Sequence, residues 1–88
     1  LEITDEDIEQ LKYFTNLKTL ILAENNITDV GCKVICENLK NLRKLFINNN
    51  RITHEGIKDI GKLTNLRCLD LRVNEIGDEG FKIVVKMH

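Results

Sequence analysis

The 88-residue sequence predicts an α/β solenoid of about three full repeats plus a partial N-terminal one. It is curved, with short parallel strands on the concave face and helices on the convex face. Three observations predict it. LKTLILAENNIT from Leu17, LRKLFINNNRIT from Leu42 and LRCLDLRVNEIG from Leu66 superpose without a gap, at offsets of 25 and 24 residues. Within each copy, aliphatic residues first alternate with variable ones, the period of a strand buried on one face. They then recur three apart, the spacing of a helix buried along one stripe. An Asn and, six residues later, a Gly hold the same place in every copy: Asn25 and Gly31, Asn50 and Gly56, Asn74 and Gly80. The chain is read as one domain, with a partial repeat over 1–16 and full repeats over 17–41, 42–65 and 66–88.

The partial repeat is placed by Ile3, Thr4, Ile8, Leu11 and Phe14, which match Ile52, Thr53, Ile57, Ile60 and Leu63. Thr4 is a good N-cap and pairs with Asp7 as a capping box, so a helix is expected to follow it. Asp7 stands at the Gly position, leaving that turn free to differ in geometry. Glu2, Asp5, Glu6, Asp7 and Glu9 cluster there without a base, where the dipole of a first helical turn favours negative charge. The first strand follows, with Leu20 and Leu22 inward, and Thr28 opens a helix that buries Cys32 and Ile35 before Leu39 closes the turn. Leu45 and Ile47 build the second strand, and Thr53, Ile57, Ile60 and Leu63 its helical half. Leu69 and Leu71 build the third. Gly77 replaces Thr in that copy, so Asp78 is the expected cap and Phe81 and Val84 the stripe.

None of these elements can bury its apolar side alone; stacking the copies makes one continuous core. Asn25, Asn50 and Asn74 lie where each strand ends, where a side-chain amide can satisfy backbone groups of the turn and of the neighbouring repeat. They are read as structural, as are Gly31, Gly56 and Gly80 at the start of the helical halves.

The pattern L-x-x-L-x-(L/I) followed by x-x-Asn-x-Ile resembles the leucine-rich repeat family. The unit length and the Gly opening each helical half resemble its ribonuclease-inhibitor-like subtype. The resemblance covers nearly the whole chain and implies a protein-recognition scaffold that binds through its concave face. Proteins similar to this subtype include ribonuclease inhibitor, Ran GTPase-activating protein and the sensor arms of intracellular immune receptors, and invasive bacteria secrete such repeats as effectors. No family motif specifies the concave residues one by one.

Composition narrows the function. Thirteen Lys and Arg against fourteen Asp and Glu give a net charge of −1, so no global field draws the chain to nucleic acid or anionic membrane. No stretch approaches the ~18 apolar residues of a membrane span, and soluble behaviour is expected. Cys32, Cys36 and Cys68 cannot close a disulfide framework, which favours a reducing compartment, the cytoplasm, or the host cytosol for a secreted bacterial effector. The chain opens on Leu1 without a Met, as an excerpt of a longer array would. With both outer strands uncovered, the isolated chain is expected to be marginal and prone to edge association.

Catalytic and cofactor patterns do not emerge. Ser is absent, the cysteines lack a neighbouring base, and His54 and His88 supply too few ligands for a metal site. His54, Glu55 and Gly56 do not form H-E-x-x-H, and the glycines follow the repeat and do not form a phosphate-binding loop. No enzyme activity, cofactor, metal or small-molecule substrate is expected.

What remains is surface. Outward positions of adjacent strands stack in columns about 4.8 Å apart. From first strand to third, the columns are Thr19, Lys44 and Cys68; Ile21, Phe46 and Asp70; Ala23, Asn48 and Arg72; Glu24, Asn49 and Val73. Ile21 and Phe46 adjoin, outward by the same alternation that turns their leucine neighbours inward, and Lys44, Asn48, Asp70 and Arg72 surround them. An apolar centre in a polar rim is how a protein-binding hot spot is arranged. Ile21, Lys44, Phe46, Asn48, Cys68, Asp70 and Arg72 are the candidate protein-binding residues. On this side Lys18, Arg43, Lys44, Arg67 and Arg72 face only Glu24 and Asp70, which suits a protein partner with an acidic patch around an apolar protrusion and not a nucleic acid. The expected function is a non-catalytic protein-protein interaction module. The alternatives are an inhibitor or regulator of a partner enzyme, by active-site occlusion, in the manner of a bacterial effector or as a GTPase-activating regulator, and repeats of a larger receptor.

Overall fold

The computed structural model describes residues 2–77. Six elements run over them: α1 (Asp5–Leu11), β1 (Thr19–Ile21), α2 (Asp29–Asn38), β2 (Lys44–Phe46), α3 (His54–Ile60) and β3 (Cys68–Asp70). The strands form one parallel sheet in the order β1-β2-β3. Thr19, Lys44 and Cys68 lie in register, as do Leu20, Leu45 and Leu69, and Ile21, Phe46 and Asp70. The helices pack α1 on α2 on α3 behind the sheet. This is the expected solenoid. Gly80, Asp78, Phe81 and Val84, to which the sequence assigns roles in the last helical half, lie outside the described residues.

Each strand supplies alternate residues to a single apolar layer: Leu20 and Leu22 from the first, Leu45 and Ile47 from the second. Ile27 and Ile52 enter it from the turns, and Cys32, Ile35, Leu39, Ile57, Ile60 and Leu63 from the helical halves. Cys32 and Cys36 are both fully buried there. Hydrogen bonding between their side chains, added to burial, pushes the Cys32 thiol far above its ordinary value, so it serves as a small apolar residue.

Strands stay short because the chain turns away at one recurrent residue. Glu24, Asn49 and Val73 all adopt left-handed backbone, with φ of 58°, 58° and 56°. The Asn that follows each then ties the turn. Asn50 accepts the Ile27 N–H at 2.9 Å and donates to the Leu22 carbonyl at 2.8 Å and the Ile47 carbonyl at 3.2 Å. Asn25 accepts from Ile3 N–H at 2.7 Å, and Asn74 accepts from Ile52 N–H at 2.9 Å while donating to the Ile47 carbonyl at 2.8 Å. Each amide thus bonds its own turn and the preceding repeat.

A second ladder runs along the helices. Asp5, the first residue of α1, accepts the Thr28 N–H at 2.9 Å, the Thr28 hydroxyl, and the Gly31 N–H at 3.0 Å. Asp29 repeats this for the next helix, taking the Thr53 N–H at 2.8 Å, its hydroxyl, and the Gly56 N–H at 3.1 Å. Thr28 and Thr53 also cap their own helices, accepting from Val30 and Glu55 N–H. The expected capping box is present at α1, where Asp7 accepts the Thr4 N–H at 2.9 Å. Gly31 and Gly56 are required by this ladder: a Cβ at Gly31 would lie 2.4 Å from Asp5 Oδ1, and one at Gly56 2.5 Å from Asp29 Oδ1. Asp5 therefore does more than meet a helix dipole.

A candidate protein-binding surface on the strand face

The parallel register sets the outward side chains of the three strands side by side. Ile21 is 67% exposed, and its in-register neighbour Phe46 is half-buried. Phe46 is thus less open than the alternation implies, its ring lying in a row between Ile21 and Asp70. Lys44 and Cys68 are exposed in the adjacent column, and Asn48 is half-buried beyond Phe46. Glu24 N–H bonds the Asn48 carbonyl at 3.0 Å and Asn49 N–H the Arg72 carbonyl at 2.8 Å, which holds the columns past the strand ends in line.

Asp70 and Arg72 join in a way that charge counting does not reveal. Arg72 donates from Nε to Oδ1 at 3.0 Å and from its terminal amine to Oδ2 at 2.7 Å, a two-pronged pair on one strand end. The hydrogen bonds from Arg72 hold the Asp70 carboxyl below its ordinary value. The two charges are mutually satisfied, and the uncompensated cations of this side are Lys18, Arg43, Lys44 and Arg67. None of these four has an ion-pair partner among the described residues.

Val73 is not among the expected binding residues, yet it is 69% exposed at the end of the same face. A β-branched side chain in left-handed backbone is strained, and the turn imposes that backbone here as it does at Glu24 and Asn49. Alignment of Val73 with Asn49 and Glu24 is the one clue in the sequence, since Asn is the side chain that most readily tolerates that backbone. Asn50, which is buried, and Asn25 and Asn74, which are half-buried, hold the turns. Among the described residues no three His, Cys, Asp or Glu converge as a metal-binding group, and no helix is long and apolar enough to cross a membrane.

Comparison with known proteins adds three findings. The family model described as leucine rich repeat matches residues 15–76. Among solved structures, an internalin from Listeria monocytogenes strain 4b F2365 is similar, with 38% sequence identity and a TM-score of 0.74. The match covers 88% of this chain and 21% of that one, so the chain spans about a fifth of the internalin's length. No curated protein matches.

Proposed function

The chain belongs to the leucine-rich repeat family, and on that premise we propose that it is a non-catalytic module that binds a protein partner through its concave strand face. The observation that carries this reading is the Ile21–Phe46 pair, apolar and central in a three-stranded sheet, with Lys44, Asn48, Asp70 and Arg72 around it. Folding gains little from an Ile that is two-thirds exposed; contact with a partner would bury it. Phe46 and Ile21 serve as anchors, Lys44, Asn48, Asp70 and Arg72 orient the partner, and Cys68 lies at the edge of the contact. The partner presents an acidic patch around an apolar protrusion, matched to the cations of this side. Helical halves of seven to ten residues support ribonuclease-inhibitor-like units. Two buried thiols and one exposed one support a reducing, cytoplasmic setting.

Pull-downs with wild-type and Phe46→Asp protein identify the partner, and titration calorimetry then measures the Phe46→Ala variant. Its affinity is expected to fall by about 2 kcal/mol or more, the cost of removing a central aromatic anchor, with the circular dichroism spectrum unchanged. Undiminished affinity in a folded Phe46→Ala protein would sink the concave-anchor reading.

A further inference from the structure

Beside the apolar pair runs a column of like charges. Lys18, Arg43 and Arg67 precede β1, β2 and β3 at equivalent positions, all exposed. They are bound edge to edge through the backbone: Arg43 N–H donates to the Lys18 carbonyl at 2.8 Å and Arg67 N–H to the Arg43 carbonyl at 2.7 Å. Lys44 adds a fourth cation next to them. Like charges on adjacent strands weaken a sheet, and no carboxylate among the described residues forms an ion pair with this column.

The spacing discriminates among partners. Across two strand intervals the column spans roughly 10 Å, and it stands about 10 Å, three residues along the strand, from the Ile21–Phe46 row. In a helix, residues i, i+4 and i+7 lie on one flank and cover about 10.5 Å along the axis, and the helix is itself about 10 Å wide. An extended peptide offers same-side residues about 6.7 Å or 13 Å apart and is too narrow to reach both rows.

We infer that the strand face takes an acidic amphipathic helix lying across the strands, with carboxylates at i, i+4 and i+7 over Lys18, Arg43 and Arg67 and an apolar flank on Ile21 and Phe46. This inference rests on the concave-binding reading and adds the partner's secondary structure, its charge pattern and its direction on the sheet. The Asp70–Arg72 pair lies at the far end of the apolar row, where its internal neutrality spares an acidic helix a repulsive contact.

A random 16-residue peptide library displayed on phage, selected on the full chain, tests it. The selected peptides are expected to carry Asp or Glu at i, i+4 and i+7 with apolar residues on the adjoining flank, and to gain helical circular dichroism on binding. Their affinity is expected to drop ten-fold or more for Arg43→Glu and for Arg67→Glu, with both variants folded. Peptides lacking that period, or no binders at all, would overturn the proposal. Peptides that depend on Phe46 but are indifferent to both charge reversals would also overturn it, while leaving the concave-binding reading intact; dependence on neither would end both. Displacement of the peptides by a single-stranded oligonucleotide at equal ionic strength would make the column a polyanion site and overturn the helix assignment.

Discussion

At the scale of single residues, three consecutive asparagines do unequal work. Asn50 is only 7% exposed, and its side chain bonds backbone groups of its own turn and of the preceding repeat, whereas the Asn48 side chain bonds only Asn49. Asn50→Ala strands the buried Ile27 N–H and leaves the Leu22 carbonyl with Asn25 as its remaining side-chain donor, so a loss of about 2 kcal/mol is expected in urea unfolding. Asn48→Ala is expected to stay within about 0.5 kcal/mol of wild type. The recurrence of Asn at 25, 50 and 74 makes this division legible along the chain itself. The left-handed column at Glu24, Asn49 and Val73 is not legible there, because three unlike residues share one backbone conformation imposed by the turn. Val73→Asn relieves a strained β-branched residue and gives up little burial. It is expected to stabilise the fold by about 1 kcal/mol, seen as a higher urea midpoint with unchanged slope.

At the scale of elements, helix is joined to helix by a carboxylate as well as by apolar packing. Thr28 and Thr53 are readable as N-caps from sequence because a cap is local. Their bonds to Asp5 and Asp29 cross from one repeat to the next and carry no local mark beyond the recurrence of Thr-Asp at 4–5 and 28–29. His54 breaks that recurrence, as Gly77 breaks the run of Thr. The glycine beside each carboxylate is there for space: at Gly56 an added Cβ would also stand 2.7 Å from Ile52 Cγ2. Gly56→Ala is therefore expected to cost about 2 kcal/mol by thermal or chemical denaturation. In an Asp29→Ala background the same change is expected to cost less, since one of the two clashes is gone, and a double-mutant cycle measures the difference.

At the scale of the molecule, stability is distributed as in a stack, where each unit is held by its neighbours. The middle unit has one on either side: Leu45, Ile47 and Ile52 are fully buried, while Ile3, Leu69 and Leu71 are half-buried. Native-state hydrogen exchange is expected to be slowest at the Ile47 and Ile52 amides and faster at Ile3. Binding follows the same geometry, because a surface built from one outward residue per strand exists only when the strands are stacked. By itself the sequence determined the repeat, the inward residues of the strands, the Thr caps and the columns, since periodicity and local chemistry suffice for each of these, whereas Phe14, which aligns with the buried Leu63, is 60% exposed. Only the tertiary structure decided how open Phe46 and Ile21 are, that Asp70 and Arg72 neutralise each other, that Asp5 and Asp29 hold successive helices, and that Val73 is strained. The physical reason is the same in every case: these are relations between side chains and backbone brought together by turns and stacking, and a pattern along one chain records which residues recur, not how closely they meet.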